Sequence, residues 1–228
     1  MNHLIKVNNL EMSFENKDIL TKFNFVAYPG EMIFIMGPNG CGKSTFFKVL
    51  TGRLETIQGD VEIFDEVVYH QQEFPLFDNM TVFENLETYA NIFNKNIDRD
   101  ILIEYVNNMG LSSEINRPIE KLSGGQKQRL GLIVTLLRDK SIYLIDEADS
   151  AMDPKGRALY FNMLKRLKDK DKVVIWISHH TKDSVKQSDR CYYIKNGVGK
   201  TFLPEDIEEE KFNYSEEAFM EYIDKEIC

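Results

Sequence analysis

The chain has 228 residues, 43% apolar and 29% charged, so it can bury a sizeable core and is too apolar for a disordered segment. A net charge of −9 excludes a general electrostatic attraction to nucleic acid or anionic lipid, and any anion site has to be built locally. Cys41, Cys191 and Cys228 show neither disulfide nor metal-ligand spacing and suit a reducing compartment.

The opening MNHLIKVNNLEMSF alternates polar and apolar residues and offers no basic segment ahead of a long apolar one, so no secretory leader is expected and the chain is expected in the cytoplasm. From Leu4 to Phe34, apolar positions at Ile5, Val7, Met12, Phe14, Phe23 and Phe25, broken at Glu15–Asp18 and at Pro29-Gly30, predict antiparallel strands joined by turns. Met32 to Met36 is an unbroken apolar run, as a strand covered on both faces requires, and Ile142–Ile145 and Val173–Ile177 repeat it. No apolar stretch approaches the roughly 20 residues of a membrane-spanning helix.

Between these runs, Thr81 with Glu84 predicts a capping box, followed by Val82, Leu86, Tyr89, Ala90 and Phe93 on one helical face. Ile101, Leu102, Tyr105, Val106 and Met109 form the stripe of a second helix, which Gly110 ends. Later, Asn196-Gly197 between Cys191–Ile194 and Val198–Phe202 predicts a hairpin, and the acidic tail from Pro204 carries a short amphipathic helix around Ser215–Ile223. The expected fold is α/β: a mostly parallel sheet, an N-terminal antiparallel β subdomain and an inserted helical subdomain. Residues of about 1–72 and 137–203 form the core with its β subdomain, about 73–136 the helical subdomain, and 204–228 the tail.

Gly37-Pro38-Asn39-Gly40-Cys41-Gly42-Lys43-Ser44 matches G-x-x-x-x-G-K-[ST] after a buried strand and before a helical segment, Thr45 to Leu50. A glycine-rich turn at a helix N-terminus points backbone N–H groups at phosphate oxygens, which side chains would obstruct. Lys43 adds positive charge for the β and γ phosphates, and the Ser44 hydroxyl can ligate Mg²⁺. Asp146-Glu147, at the end of a buried strand, offers a metal-facing carboxylate and an adjacent base for water. Leu122-Ser123-Gly124-Gly125-Gln126 opens another helix and is a second candidate phosphate-binding N-terminus.

In this order, GPNGCGKST, LSGGQ and an apolar run with Asp-Glu, the chain resembles the nucleotide-binding domain of ATP-binding cassette (ABC) proteins over essentially its whole length. The resemblance implies a P-loop NTPase core that binds ATP and Mg²⁺. It gives Asn39, Gly40, Cys41, Gly42, Lys43, Ser44 and Thr45 to the phosphates, Phe14 to the adenine face, and Ser123, Gly125, Gln126 and the D-loop Asp153 to the nucleotide held by a second copy. It gives Gln72 to Mg²⁺ with Ser44 and Asp146, Gln71 falling where the family has another residue. Glu147 becomes the base, with His179 as the switch histidine on the γ phosphate and Lys43 and Gln72 completing the catalytic set. In one departure, Ala148-Asp149 stands where the family usually has Pro-Thr.

The resemblance further implies a head-to-tail dimer sandwiching ATP, formed with itself or a related cassette, on the inner face of the cell membrane. Separate transmembrane permease subunits would dock near Phe74, Pro75, Leu76 and Phe77. No direct contact with nucleic acid is expected. The stretches MTVFENLETYANIF, LSGGQKQRLGL and MDPKGR resemble exporters and favour export, whereas the short segment between Gly52 and Gln72 keeps an importer open. A non-transport ATPase acting on ribosomes or nucleic acid is the remaining alternative, without the second cassette or long coiled coil that such relatives carry.

Overall fold

The computed structural model describes residues 3–14, 17–207, 221–223 and 225. The expected antiparallel N-terminal strands are β1 (Ile5–Phe14) and β2 (Lys17–Ala27), and β4 (Gln58–Ile63) joins them on the other edge of β1. The larger sheet contains β3 (Met32–Met36), β5 (Val67–His70), β6 (Ile142–Asp146), β7 (Val173–Ile177), β8 (Arg190–Lys195) and β9 (Val198–Phe202), in the order β5-β6-β7-β3-β8-β9. All its pairings are parallel except β8 with β9, where Lys195 faces Val198 across a two-residue turn. Asn196 and Gly197 in that turn have φ of +50° and +79°, the left-handed pair that the Asn-Gly signal predicts.

Because side chains alternate across a strand, the parallel sheet feeds two separate cores. Phe34, Met36, Tyr143, Ile145 and Trp176 face one, and Ile33, Ile35, Ile142, Leu144 and Ile175 face the other. The second core is closed by the antiparallel sheet and by α1 (Lys43–Leu50), through Phe46 and Phe47. The first is closed by α2 (Val82–Ile92), α3 (Arg99–Asn108), α4 (Gly124–Leu136) and α5 (Pro154–Lys168). A short α6 (Thr181–Gln187) follows β7.

The Thr81–Glu84 capping box is present in full at the start of α2. On α3 the buried residues are Leu102 and Val106, followed by Met109, whereas Ile101 is 48% exposed and lies off the buried face. Most of the predicted tail helix lies outside the described residues, of which 221–223 are helical.

One buried polar contact joins the sheet to the insertion. His70, the last residue of β5, is buried, and its Nδ1 lies 2.6 Å from Thr135 Oγ1 in α4. The Thr135 hydroxyl already donates to the Gly131 carbonyl at 3.0 Å, so the histidine nitrogen is the donor. Burial pushes the imidazole down to about 4 from its ordinary 6.5, so the folded chain keeps it neutral where the unfolded chain takes a proton. Its contribution to stability is complete above the unfolded value and is lost as pH falls toward the folded one, by about 3 kcal/mol in total. Urea unfolding between pH 7 and pH 4.5 should show this loss in the native chain and a shallower one in His70→Gln; parallel curves would exclude it.

Candidate active site

Between Met36 and α1 the chain reverses over residues 37–42. Gly37, Gly40 and Gly42 have φ of +147°, +77° and +111°, where residues bearing a Cβ are strained. A Cβ on Gly37 would stand 2.1 Å from the Ile194 carbonyl oxygen, so the loop can lie on β8 only with glycine there. Helix α1 starts from Gly42 with no side-chain cap, so no side chain occupies its first-turn N–H groups. Lys43 Nζ donates to the carbonyls of Gly37 at 2.7 Å and Pro38 at 3.1 Å, folding its charge over the loop. Asn39 and Gly40 are exposed on the loop, Thr45 is half-buried in α1, and burial raises the Cys41 thiol above its ordinary range against the opposing charge of Lys43.

Strand β6 presents the acidic pair. Asp146 Oδ2 accepts a hydrogen bond from the Tyr69 hydroxyl at 2.8 Å, and Ser44 also bonds its carboxylate. Burial outweighs both bonds and holds Asp146 above the usual carboxylate range. The Arg53 guanidinium lies 5.0 Å from the centre of the Tyr69 ring, and the Gln71 amide oxygen, turned toward Arg53, accepts from it at 2.7 Å. Since β5 runs parallel to β6 with His70 beside Ile145, the exposed Gln72 leaves the sheet at the edge that carries Asp146.

Glu147 has φ of +50°, a conformation that non-glycine residues seldom adopt and that marks a constrained turn. Its N–H donates to the Ile177 carbonyl at 3.0 Å, and its Oε1 lies 3.0 Å from His179 Nε2. The structure therefore joins Ser44 to Asp146 and Glu147 to His179 at the ends of adjacent parallel strands.

A second cluster forms at the start of α4. Ser123 caps the helix: its Oγ accepts from Gln126 N–H at 3.3 Å, and Gln126 Oε1 accepts from Ser123 N–H at 2.8 Å. A Cβ on Gly125 would come within 2.6 Å of the Ala151 carbonyl, so this turn lies directly on residues 150–152. Gln128 strengthens that contact by donating to Ser150 Oγ at 2.8 Å and accepting from Ala151 N–H at 2.9 Å. Arg129 donates to the Met109 carbonyl at 2.7 Å on the other side. Asp153 Oδ1 accepts from Gly156 N–H at 2.8 Å and caps α5, so that oxygen is committed within its own helix.

The expected site residues thus fall into two groups. Lys43, Ser44, Asp146, Glu147 and His179 meet at the sheet edge, while Ser123, Gly125 and Gln126 form the start of α4, which lies on residues 150–152 just ahead of Asp153. Phe14 closes β1 opposite Lys17, and its side chain lies outside what is described. Beside these two groups, Tyr69 bonds Asp146 and Ser178 bonds Asp149, and of these added residues only Asp149 stood out in the sequence, as a departure from the family pattern.

A family model described as ABC transporter matches residues 20–150. The thiamine import ATP-binding protein of Photobacterium profundum is 30% identical over 203 residues, 83% of this chain and 84% of that protein. An energy-coupling factor transporter ATP-binding protein of Leuconostoc mesenteroides is 31% identical over 217 residues, 85% of this chain and 78% of that protein. Among solved structures, a dimeric post-hydrolysis cassette bound to ADP and Pi superposes with a TM-score of 0.74 at 25% identity, covering 88% of this chain and 98% of the other.

These relatives correct one expectation. Export, inferred from the resemblance of residues 80–93, 122–132 and 152–157 to exporters, is not supported: relatives over most of the chain include proteins named for thiamine import and for spermidine/putrescine import. Among the described residues no helix is long and apolar enough to cross a membrane. Fold, motif order and relatives agree that the chain belongs to the ABC transporter family and is an ATP-binding, ATP-hydrolysing cassette subunit.

Proposed function

We propose that this cassette drives an importer: a protein peripheral to the inner face of the cell membrane that couples Mg-ATP-driven pairing and hydrolysis to uptake through separate membrane subunits. The observation that carries the catalytic reading is the 3.0 Å contact of Glu147 Oε1 with His179 Nε2, beside the Ser44–Asp146 hydrogen bond. Glu147 orients the attacking water and takes its proton, while His179 holds the γ phosphate in line. Lys43 and the first-turn N–H groups of α1 neutralise the phosphate oxygens, with Asn39, Gly40, Cys41, Gly42 and Thr45 forming the rest of the cradle.

Ser44, Asp146 and the Gln72 amide supply hard oxygen donors of the kind Mg²⁺ selects, and a cation there would favour the ionised form of the buried Asp146. Held by these residues, Mg²⁺ would supply positive charge to offset that of the phosphates. Phe14 takes the adenine face.

Two glycine-bearing turns with different neighbours on one chain favour closure by a second copy. Ser123 and Gly125 of one copy, with Gln126 and Asp153 behind them, then meet the γ phosphate held by the other, head to tail. The dimeric relative bound to ADP and Pi supports such pairing. Because this chain carries both groups, a homodimer suffices, and a related cassette could replace one copy. Phe77, 40% exposed, with Phe74 and Leu76 partly buried beside it, offers an apolar seat for the membrane subunit. Relatives named for thiamine, spermidine/putrescine and manganese support uptake without fixing one cargo.

Glu147→Gln should lower turnover by about 10²–10⁴ and leave ATP binding and ATP-dependent dimerisation intact, measured by phosphate release and light scattering; full turnover removes Glu147 from its role. In that background Ser123→Arg should abolish dimerisation while each copy still binds ATP. Loss of ATP binding by the monomer would instead put Ser123 in its own copy's site. A strain lacking the chain should lose uptake of a small solute and regain it with the native protein but not with Glu147→Gln. Loss of efflux alone would reverse the direction.

A further inference from the structure

The turn that follows Glu147 carries the family's one visible departure, Asp149. Its side chain is 1% exposed, and Oδ2 accepts a hydrogen bond from Ser178 Oγ at 2.8 Å. The same Ser178 oxygen accepts from the His180 N–H at 2.9 Å. His179 therefore stands between Ser178, whose side chain bonds Asp149, and His180, whose backbone N–H bonds that same Ser178 oxygen. On the other side of the pair, Glu147 N–H donates to the Ile177 carbonyl at 3.0 Å. The 3.0 Å contact of Glu147 with His179 is enclosed by these two ties.

A buried carboxyl group has a cost, which Asp149 offsets with this hydrogen bond and with the nearby Arg157 guanidinium, although burial still holds its pKa above the ordinary range. A threonine here could also bond Ser178, but two hydroxyls can exchange donor and acceptor roles. A carboxylate only accepts, so the single Ser178 proton points at Asp149 and the serine lone pairs stay available to His180.

We propose that Asp149 is a positioning residue for hydrolysis: acting through Ser178, it fixes the backbone on both sides of His179 and so holds the imidazole against Glu147. It touches no reacting atom. This rests on the assignment of Glu147 and His179 to hydrolysis.

In the full-length chain, Asp149→Ala should lower kcat about tenfold or more while KM for ATP changes by less than about twofold, because the phosphate cradle is untouched. Asp149→Asn keeps an acceptor for Ser178 and should recover most of that loss. Ser178→Ala should lose as much as Asp149→Ala, and the double variant no more than either single one. Trp176, the chain's one tryptophan, is buried in β7 close to Ser178, so unchanged emission identifies variants whose strand is intact. Unchanged kcat in Asp149→Ala, a loss expressed mainly in KM, multiplying losses in the double variant, or failure of Asp149→Asn to recover activity would each overturn the proposal. If Asp149→Ala does not fold, Ser178→Ala and Ser178→Ala with Asp149→Asn decide it: an equal kcat loss in both supports the link, and multiplying losses or an unchanged kcat refute it. The two readings fail separately. Full turnover in Glu147→Gln removes the base whatever Asp149 does, whereas an active Asp149→Ala beside an inactive Glu147→Gln removes only the positioning role.

Discussion

Parallel register sets Ile35 beside Ile177 and Ile177 beside Asp146, so the phosphate loop, the acidic pair and the histidine turn leave the sheet at one edge. These strands are buried on both faces, and a parallel sheet so covered gathers its reactive groups just past the carboxyl ends of its strands. A slip of one residue in β6 would turn Tyr143 and Ile145 toward the wrong core and move Asp146 away from Ser44. The apolar packing of the strands therefore fixes the geometry of the charged groups beyond them.

This arrangement lets an acidic protein hold a polyanion. On the proposed reading, attraction comes from one lysine curled over a glycine turn and from helix ends whose N–H groups are not occupied by acidic side chains, since neither α1 nor α4 carries an acidic residue in its first turn. The overall negative charge is distributed elsewhere and leaves this local field intact.

Features with strong local chemistry were legible in the sequence. Met32–Met36, Val173–Ile177, the Thr81–Glu84 cap and Asn196-Gly197 all occur as expected, because burial on both faces, capping and left-handed turns each demand particular residues. Strand β4 was not legible: its residues are alternately exposed and half-buried with none fully buried, and Gly59 and Asp60 interrupt its apolar pattern. The four-residue β5 is too short to show a period. Ile101 misled because a helical stripe read from sequence does not say which flank meets a neighbour. At the site, motif residues announced themselves, but Tyr69 with Asp146 and Asp149 with Ser178 are pairings across 77 and 29 positions that only folding creates. The lean toward export finds no support among the relatives, because short stretches of a motor carry little information about the pathway it drives.

The start of α4 is braced on two sides, by Gln128 against residues 150–151 and by Arg129 against the end of α3. A load applied to Ser123 is thus divided between the turn behind the acidic pair and the far end of the insertion. The helix start cannot swivel as an independent pivot: it has to carry α3 along or break a bond with the strand-end turn, which makes this corner a crank between the turn after β6 and the helices.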